Sequence, residues 1–504
     1  MDSTPQQPVP PVSTHASSHV ARLAARIPLR KELSYLQFLA LSVATVAPFL
    51  GIFALYSQYA SAVGSGILYL FLLTGIYAVC NATVFAHMSS LYPLAGGAYA
   101  VIHNVAGKFW GLFYLMLQVI YLLSAAAVVA GFSASFLNSL FPFLSVVPTT
   151  VALLLIILIL ALSNIRASGI VSGTFLCLEL LFIAFWFVFA LTHLQVPLTT
   201  AFTFPPHSLG DHGQLAGPVS FAVFITVFPL AVFGVSGYEW ATHFTEEAKN
   251  YRQVRRALVT AALIGAIALG VGQTLITLVD AHFQAVETAS VPGAYVLQQL
   301  LPALAPILIV YIAMSSFNAG LANYLQASRV VFEGARNGEY GSWVSGILAK
   351  VNRAGVPQWA TVLWIIPSVL LVVFPTLQSL LAFTSVLLVV AYILVSLSAI
   401  IFYLKVGRSA GMRYGAFRFF PLFPAVVILF GIVILTTQSL IDLLISAGIL
   451  LVGLILAVAV HRNPRLNSSS EIVQNSLMAG SDLLAAQAHL FGVNPEQPSE
   501  EVSH

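Results

Sequence analysis

The sequence predicts an all-α integral membrane protein of twelve transmembrane helices. Helices 1–5 and 6–10 form a five-plus-five inverted repeat with broken helices 1 and 6, and two peripheral helices follow. Three observations predict this. Of 504 residues, 59% are hydrophobic and only 7% charged, against about 25% charged in soluble domains. Apolar runs of about 20 residues, each able to cross a hydrocarbon core of about 30 Å as a helix, recur along the chain. Two of them, the first and the sixth, carry Gly or Pro interruptions at corresponding places in two halves, the sequence pointer to inverted repeats.

Residues 1–33 are a Pro-, Ser- and Ala-rich N-terminal tail lacking the continuous apolar core of a cleavable signal peptide, so helix 1 directs insertion. The first repeat is 34–192. Helix 1, at 35–62, contains Thr45-Val46-Ala47-Pro48-Phe49-Leu50-Gly51-Ile52-Phe53, where Pro48 removes a donor and leaves a carbonyl free. Helices 2–5 follow at 66–90, 109–137, 147–165 and 169–192. Helix 3 brings Tyr121 and Ser124 to mid-membrane, and helix 5 carries Glu179. An extracytoplasmic loop, 193–218, leads to the second repeat, 219–405. Its helices 6–10 lie at 219–245, 254–280, 300–328, 358–376 and 379–404. Helix 6 contains Phe233-Gly234-Val235-Ser236-Gly237-Tyr238-Glu239, and helix 8 contains Ser315, Ser316, Asn318 and Asn323. Residues 406–461 hold helices 11 and 12, at 419–437 and 440–460. The tail 462–504 is polar, with a weakly amphipathic stretch from Leu477 to Leu490 that forms a short surface helix or stays disordered.

Orientation follows from the basic residues, which accumulate in cytoplasmic loops. An inside N-terminus puts every Lys and Arg on the cytoplasmic side, from Arg22, Arg26, Arg30 and Lys31 through Lys108, Arg166 and the Lys249–Arg256 cluster. The pattern continues through Arg329, Arg336, Lys350, Arg353 and Lys405–Arg418 to Arg462 and Arg465. The opposite loops carry only Asp211, Asp280 and Glu287. Both termini are therefore cytoplasmic, in a multi-pass protein of the cell membrane. The net charge of +3 is spent on topology and needs no nucleic-acid partner; the basic loops face anionic lipid.

The most informative residue is Glu239. A charge at mid-bilayer costs roughly 2.5–3.5 kcal/mol on insertion scales, so it persists where it faces a cavity or a partner. Beside it the glycines let the helix unwind, and freed backbone groups must be satisfied, one candidate being a bound polar solute. The half-helix beginning after Gly51 aims amide hydrogens and a positive dipole end at an anionic group. Carbonyls around Phe233 to Ser236 accept from an ammonium. Thr45, Tyr121 and Ser124 line the same cavity, and Ser315 and Ser316 lie nearer an ion site. The plainer alternatives are a helix kink, core packing, or polar side chains holding helices together at about 0.6 kcal/mol per bond.

Enzyme chemistry is not expected. The twelve His residues are scattered, and no nucleophile with a positioned base, metal cluster or nucleotide loop falls within the spans. No cofactor or metal is called for. Cys80 and Cys177 lie inside predicted spans as small apolar residues, and no pore motif repeats as a channel requires.

Four stretches resemble the amino acid/polyamine/organocation (APC) superfamily. Pro93-Leu94-Ala95-Gly96-Gly97-Ala98-Tyr99 is similar to its loop after helix 2. Phe233–Glu239 followed by Glu246-Glu247-Ala248-Lys249-Asn250 is similar to its sixth-helix signature. Ser328-Arg329-Val330 with Ala335-Arg336-Asn337-Gly338 and Val356-Pro357 resembles the end of its eighth helix, and Gly51-Ile52-Phe53 matches the end of its first-helix motif. Where many members carry Gly-Ser-Gly, this chain has Ala47-Pro48-Phe49-Leu50, a bulkier loop suited to a different or smaller solute. The resemblance implies that Phe233 is an aromatic gate over the substrate and that Asn323 lines the site. It also implies that Glu239 links protonation to gating. Some proton-coupled relatives have a lysine where Glu179 stands, which implies a coupling role there. The expectation is an amino acid permease: a secondary transporter of an amino acid or amine, working by alternating access and driven by a proton or sodium ion. An exchanger or a non-transporting nutrient sensor of the same fold is the alternative.

Overall fold

The computed structural model describes residues 32–404 and 421–462, apart from 92–95, 164, 211–213, 250–251, 280–284, 287–288, 290 and 374–376. The tails, the basic residues from Lys405 to Arg418, Pro93 to Ala95 and the Leu477–Leu490 stretch lie outside the described residues.

The first predicted span folds as three helices, α1 Tyr35–Val46, α2 Pro48–Ala54 and α3 Tyr56–Val63. Ser34 caps α1 with a capping box: its hydroxyl accepts from the Gln37 amide, and the Gln37 side chain accepts from the Ser34 amide at 3.0 Å. The helix ends at Ala47, whose φ of 47° and ψ of 60° are left-handed. The cause is Pro48. A proline disfavours right-handed helix for the residue before it, yet suits the first position of the next helix. The break therefore lies one residue ahead of the proline, and Gly51 is helical.

Then come α4 Ile67–Leu91, α5 Ala98–Ala106, α6 Lys108–Leu140, α7 Val146–Ala161 and α8 Ile165–Thr192. A two-stranded antiparallel hairpin, β1 His207–Leu209 and β2 Leu215–Pro218, occupies the loop before the sixth span. It closes over Gly64, where a Cβ would meet the His207 carbonyl oxygen at 2.3 Å.

The sixth span divides into α9 Phe221–Val235, an extended link at Ser236 and Gly237, and a 3₁₀ segment Tyr238–Glu247. The sequence reading started this break at Gly234. Gly234 remains helical, because its glycine serves close packing: a Cβ there would lie 2.7 Å from the Tyr59 hydroxyl. Gly237, with φ of +116°, makes the turn.

The chain continues through α10 Arg252–Val279, α11 Pro292–Leu300, α12 Ala305–Arg336, α13 Ser342–Leu348, α14 Gln358–Val362, α15 Ile365–Val373, α16 Leu377–Phe402, α17 Leu422–Thr436 and α18 Leu440–Arg462. Among the described residues, nine helical stretches are long and apolar enough to cross a membrane, and the shorter apolar stretches are Val146–Ala161, Gln358–Val373 and Leu422–Thr436. The stretches differ sharply in burial. Tyr35–Ala54 is 89% buried in its most apolar window and Lys108–Leu140 78%, whereas Leu440–Arg462 is 17% buried. The first span and α6 thus form the centre, while α18 presents Leu and Ile side chains outward at the periphery.

Candidate functional site

The two breaks face each other. The Gly237 Cα lies so close to the first break that a Cβ would reach the Thr45 carbonyl oxygen at 2.6 Å. Around this contact opens a cavity of about 540 Å³, mouth included. The first span contributes Thr45, Val46, Ala47, Leu50, Gly51, Ala54 and Leu55, and α9 with its link contributes Phe233, Gly234, Ser236 and Gly237. Opposite stand Tyr121, Ala125, Val129 and Phe132 of α6, with Asn323 of α12. Most walls are apolar. The polar side chains are Thr45, Tyr121, Ser236 and Asn323.

Of the residues expected to bind solute, Thr45, Ala47, Gly51, Tyr121, Phe233, Gly234, Ser236 and Asn323 line this cavity. Pro48 is buried and not in its wall, and Ser124 of α6 is likewise buried away from it. The Phe233 carbonyl, expected to be free for an ammonium, accepts from the Ser236 amide at 3.1 Å and the Ser236 hydroxyl at 2.6 Å. Thr45 is held by the Gln326 side chain, which donates to its hydroxyl at 3.0 Å.

Neither acid expected to couple lines the cavity; each holds a backbone amide at one break. The Phe49 amide, at the start of α2, donates to Glu179 Oε1 at 2.9 Å, and the Ser315 hydroxyl donates to the same oxygen at 3.0 Å. The Gly237 amide donates to Glu239 at 3.0 Å, and the Tyr392 hydroxyl of α16 donates to its Oε1. Both acids are fully buried. Ser316 lies apart from them, donating to the Val129 carbonyl at 2.5 Å. The amide end of α2, expected to meet a solute's anion, thus already meets a protein carboxylate.

A family model described as amino acid permease matches residues 33–460. The chain belongs to the amino acid permease family. The permease is 25% identical over 410 residues to the branched-chain amino acid permease BcaP of Lactococcus lactis subsp. cremoris (strain MG1363), covering 77% of this chain and 85% of that protein. Its fold is similar to two mutant forms of the Eremococcus coleocola manganese transporter. These match at 14% and 15% identity with TM-scores of 0.54 and 0.55, each over 90% of this chain and 99% of that one. The family and these neighbours make the permease a membrane transporter and not an enzyme.

At the end of the permease bearing the basic residues, buried ion pairs and a backbone bridge join several segments. Arg329 of α12 makes two bonds to Glu247, of 2.9 and 3.0 Å, with both side chains fully buried. Arg336 reaches Glu246 at 2.8 Å and Glu333 at 2.5 Å. Leu33, just ahead of α1, pairs through its backbone with the Glu247 carbonyl at 3.0 Å and the Lys249 amide at 2.9 Å. The sequence flagged Glu246, Glu247, Arg329 and Arg336 through the resemblance, but it neither paired them nor pointed to Glu333. It missed Tyr392, Gln326, and Ala125, Val129 and Phe132. The last three recur with Tyr121 along one α6 face at helical spacing, a signal hidden because the flanking positions are equally apolar.

Proposed function

We propose that this permease is a secondary active transporter of amino acids with apolar, branched side chains, working by alternating access with a proton as the coupling ion. The observation that carries the reading is the cavity walled by both helix breaks: the hydroxyls of Thr45, Tyr121 and Ser236 and the Asn323 amide lie beside apolar walls from Leu50, Val129 and Phe132. The branched-chain amino acid named for its relative fits the same lining.

Twelve crossings in a five-plus-five inverted repeat are supported by the long and shorter apolar helices falling on the twelve predicted spans, and by breaks in the first and sixth. The basic end then faces the cytoplasm of the cell membrane. Phe233 gates the side of the cavity away from the basic end, and the Arg329–Glu247 seal closes the other. Glu239 and Glu179 couple because each holds an amide of the segment that must move, and protonation weakens a carboxylate as an acceptor.

The test is thermal-shift screening of purified protein against amino acids and amines, followed by counterflow in proteoliposomes. L-isoleucine, L-leucine and L-valine should stabilise the protein and exchange. Binding without counterflow would make it a sensor, and counterflow without gradient-driven accumulation would make it an exchanger. E239Q should retain counterflow and flatten the pH dependence of accumulation; wild-type accumulation across the pH range defeats that role.

A further inference from the structure

Between the cavity and the basic end runs a seam of buried polar atoms that lack a hydrogen-bond partner among the described residues. They are Tyr77 Oη and Asn81 Oδ1 of α4, Tyr114 Oη and Gln118 Oε1 of α6, and Trp240 Nε1 of the 3₁₀ segment. Every one of these side chains is at most 1% exposed. They adjoin one another around Glu239. Asn81 donates to Tyr238 at 3.3 Å, the Tyr77 ring lies 6.4 Å from that of Tyr392, and Tyr392 donates to Glu239. The Trp240 ring lies 4.8 Å from that of Tyr121, tilted by 34°, and 6.1 Å from His243 in a nearly parallel plane. A buried polar group without a partner costs about 1–3 kcal/mol, and proteins meet such a need with ordered water.

His243 stands at the middle of this seam, four residues beyond Glu239. Its Nε2 is 2.6 Å from the Gln118 amide nitrogen. Its Nδ1 lies against Gly97, where a Cβ would come within 2.6 Å. Two residues on, the Tyr99 hydroxyl donates to Glu339 at 3.2 Å, and Glu339 lies 3.8 Å from Lys108 and 3.7 Å from His103. Glu339 belongs to the loop after α12 and is itself buried, with the partly exposed Lys108 beside it.

We propose that His243, steadied by Gln118, relays protons between Glu239 behind the break of the sixth span and the Tyr99–Glu339 pair at the basic end, across water held by the unpartnered groups of the seam. This rests on the reading that the permease is proton-coupled. Gln118 suits both protonation states of the ring. When Nε2 is bare, the amide N–H₂ donates to it. When Nε2 carries a proton, the amide turns over and its otherwise unpartnered Oε1 accepts. A proton leaves the Glu239 acid and is taken up through water at Nε2; the opposite nitrogen releases its proton toward the Glu339 carboxylate. Only O–H and N–H bonds form and break, and the ring ends neutral. The charged and titratable neighbours of the 3₁₀ segment fit this. Glu247 is neutralised by Arg329, leaving Glu239, Tyr392 and Tyr77 as the groups at the cavity end. Burial pushes the Glu339 carboxyl up to about 7, against the opposing pull of Lys108 and the Tyr99 hydroxyl, so it exchanges its proton near neutrality.

The experiment uses the full chain in proteoliposomes with a trapped pH-sensitive dye and L-isoleucine as the probe. H243Q should lower isoleucine-driven proton entry about tenfold or more and leave counterflow within about twofold. Unchanged proton entry in H243Q overturns the relay alone; isoleucine exchange without proton entry in the wild type overturns the coupling reading and the relay with it. Q118E provides an independent arm. A carboxylate beside the ring should raise the pH midpoint of proton entry by about one unit, and an unmoved midpoint overturns the relay even if H243Q fails to fold.

Discussion

At Gly237 the chain needs both a positive φ and the absence of a side chain, since φ is +116° and a Cβ would strike the Thr45 carbonyl. Alanine supplies neither, and the obstacle is backbone rather than a flexible side chain. G237A is therefore expected to push the two breaks apart, costing about 1–3 kcal/mol in strain and abolishing isoleucine counterflow. S236A, which removes a hydroxyl and leaves the backbone unstrained, should keep the wild-type melting temperature. Paired measurements of melting temperature and counterflow check both. Glu179 offers a second comparison at this scale. Its Oε1 accepts from Phe49 and Ser315, which a glutamine oxygen also does, so E179Q should fold normally while losing concentrative uptake and proton co-movement. E179A leaves the Phe49 amide buried without that acceptor and should lose about 1–3 kcal/mol of stability. Intact concentrative uptake in E179Q removes Glu179 from the coupling role.

The elements that close the basic end are joined by charge. Removing Arg329 leaves the Glu247 carboxylate buried and unpaired, so R329M should destabilise by about 3–5 kcal/mol, and the double variant R329M/E247L should recover most of that loss. Thermal unfolding of the single and double variants measures it; an equal loss in both would assign the effect to packing. In the loop after α12, Glu339 is raised by burial to about 7 from 4.5, and on α5 burial lowers His103 from 6.5 to about 4. The folded state keeps the Glu339 proton between about pH 4.5 and 7, so its contribution to stability falls as pH rises through that window. His103 acts oppositely, its contribution falling as pH drops from about 6.5 to 4. E339Q should accordingly remove a fall in melting temperature as pH rises from about 4.5 to 7, and H103N a fall as pH drops from about 6.5 to 4. How much of this was legible in the sequence depends on range. Pro48 dictates its break locally, and hydropathy places the helices, because both act through neighbouring residues. Which glycine turns and which packs is not local: Gly234 faces Tyr59 and Gly237 faces Thr45, contacts between spans far apart in the chain. The Glu239–Tyr392 and Glu179–Phe49 bonds join residues 153 and 130 positions apart, and no spacing rule announces them.

For the whole molecule, the cavity sits above a seal in which the lead into α1, the 3₁₀ segment and α12 meet. In the proposed alternating-access cycle a solute leaves past the basic end only if these three separate, so the backbone bridge between Leu33 and Ala248 would break once in each cycle. Paired residues on adjacent strands bring Cα atoms to about 5 Å, within the span a disulfide tolerates. A protein carrying L33C and A248C, with exposed Cys177 replaced by serine and buried Cys80 retained, should therefore cross-link under mild oxidation. The cross-linked protein should still bind L-isoleucine by thermal shift, since neither position lines the cavity, while isoleucine uptake into proteoliposomes falls about tenfold or more and returns with reductant. Either single-cysteine variant should be indifferent to oxidation, which separates locking from oxidative damage. Were the oxidised double variant to transport at the reduced rate, the solute would be passing without parting these segments, and an exit at the basic end between the two broken spans would have to be abandoned.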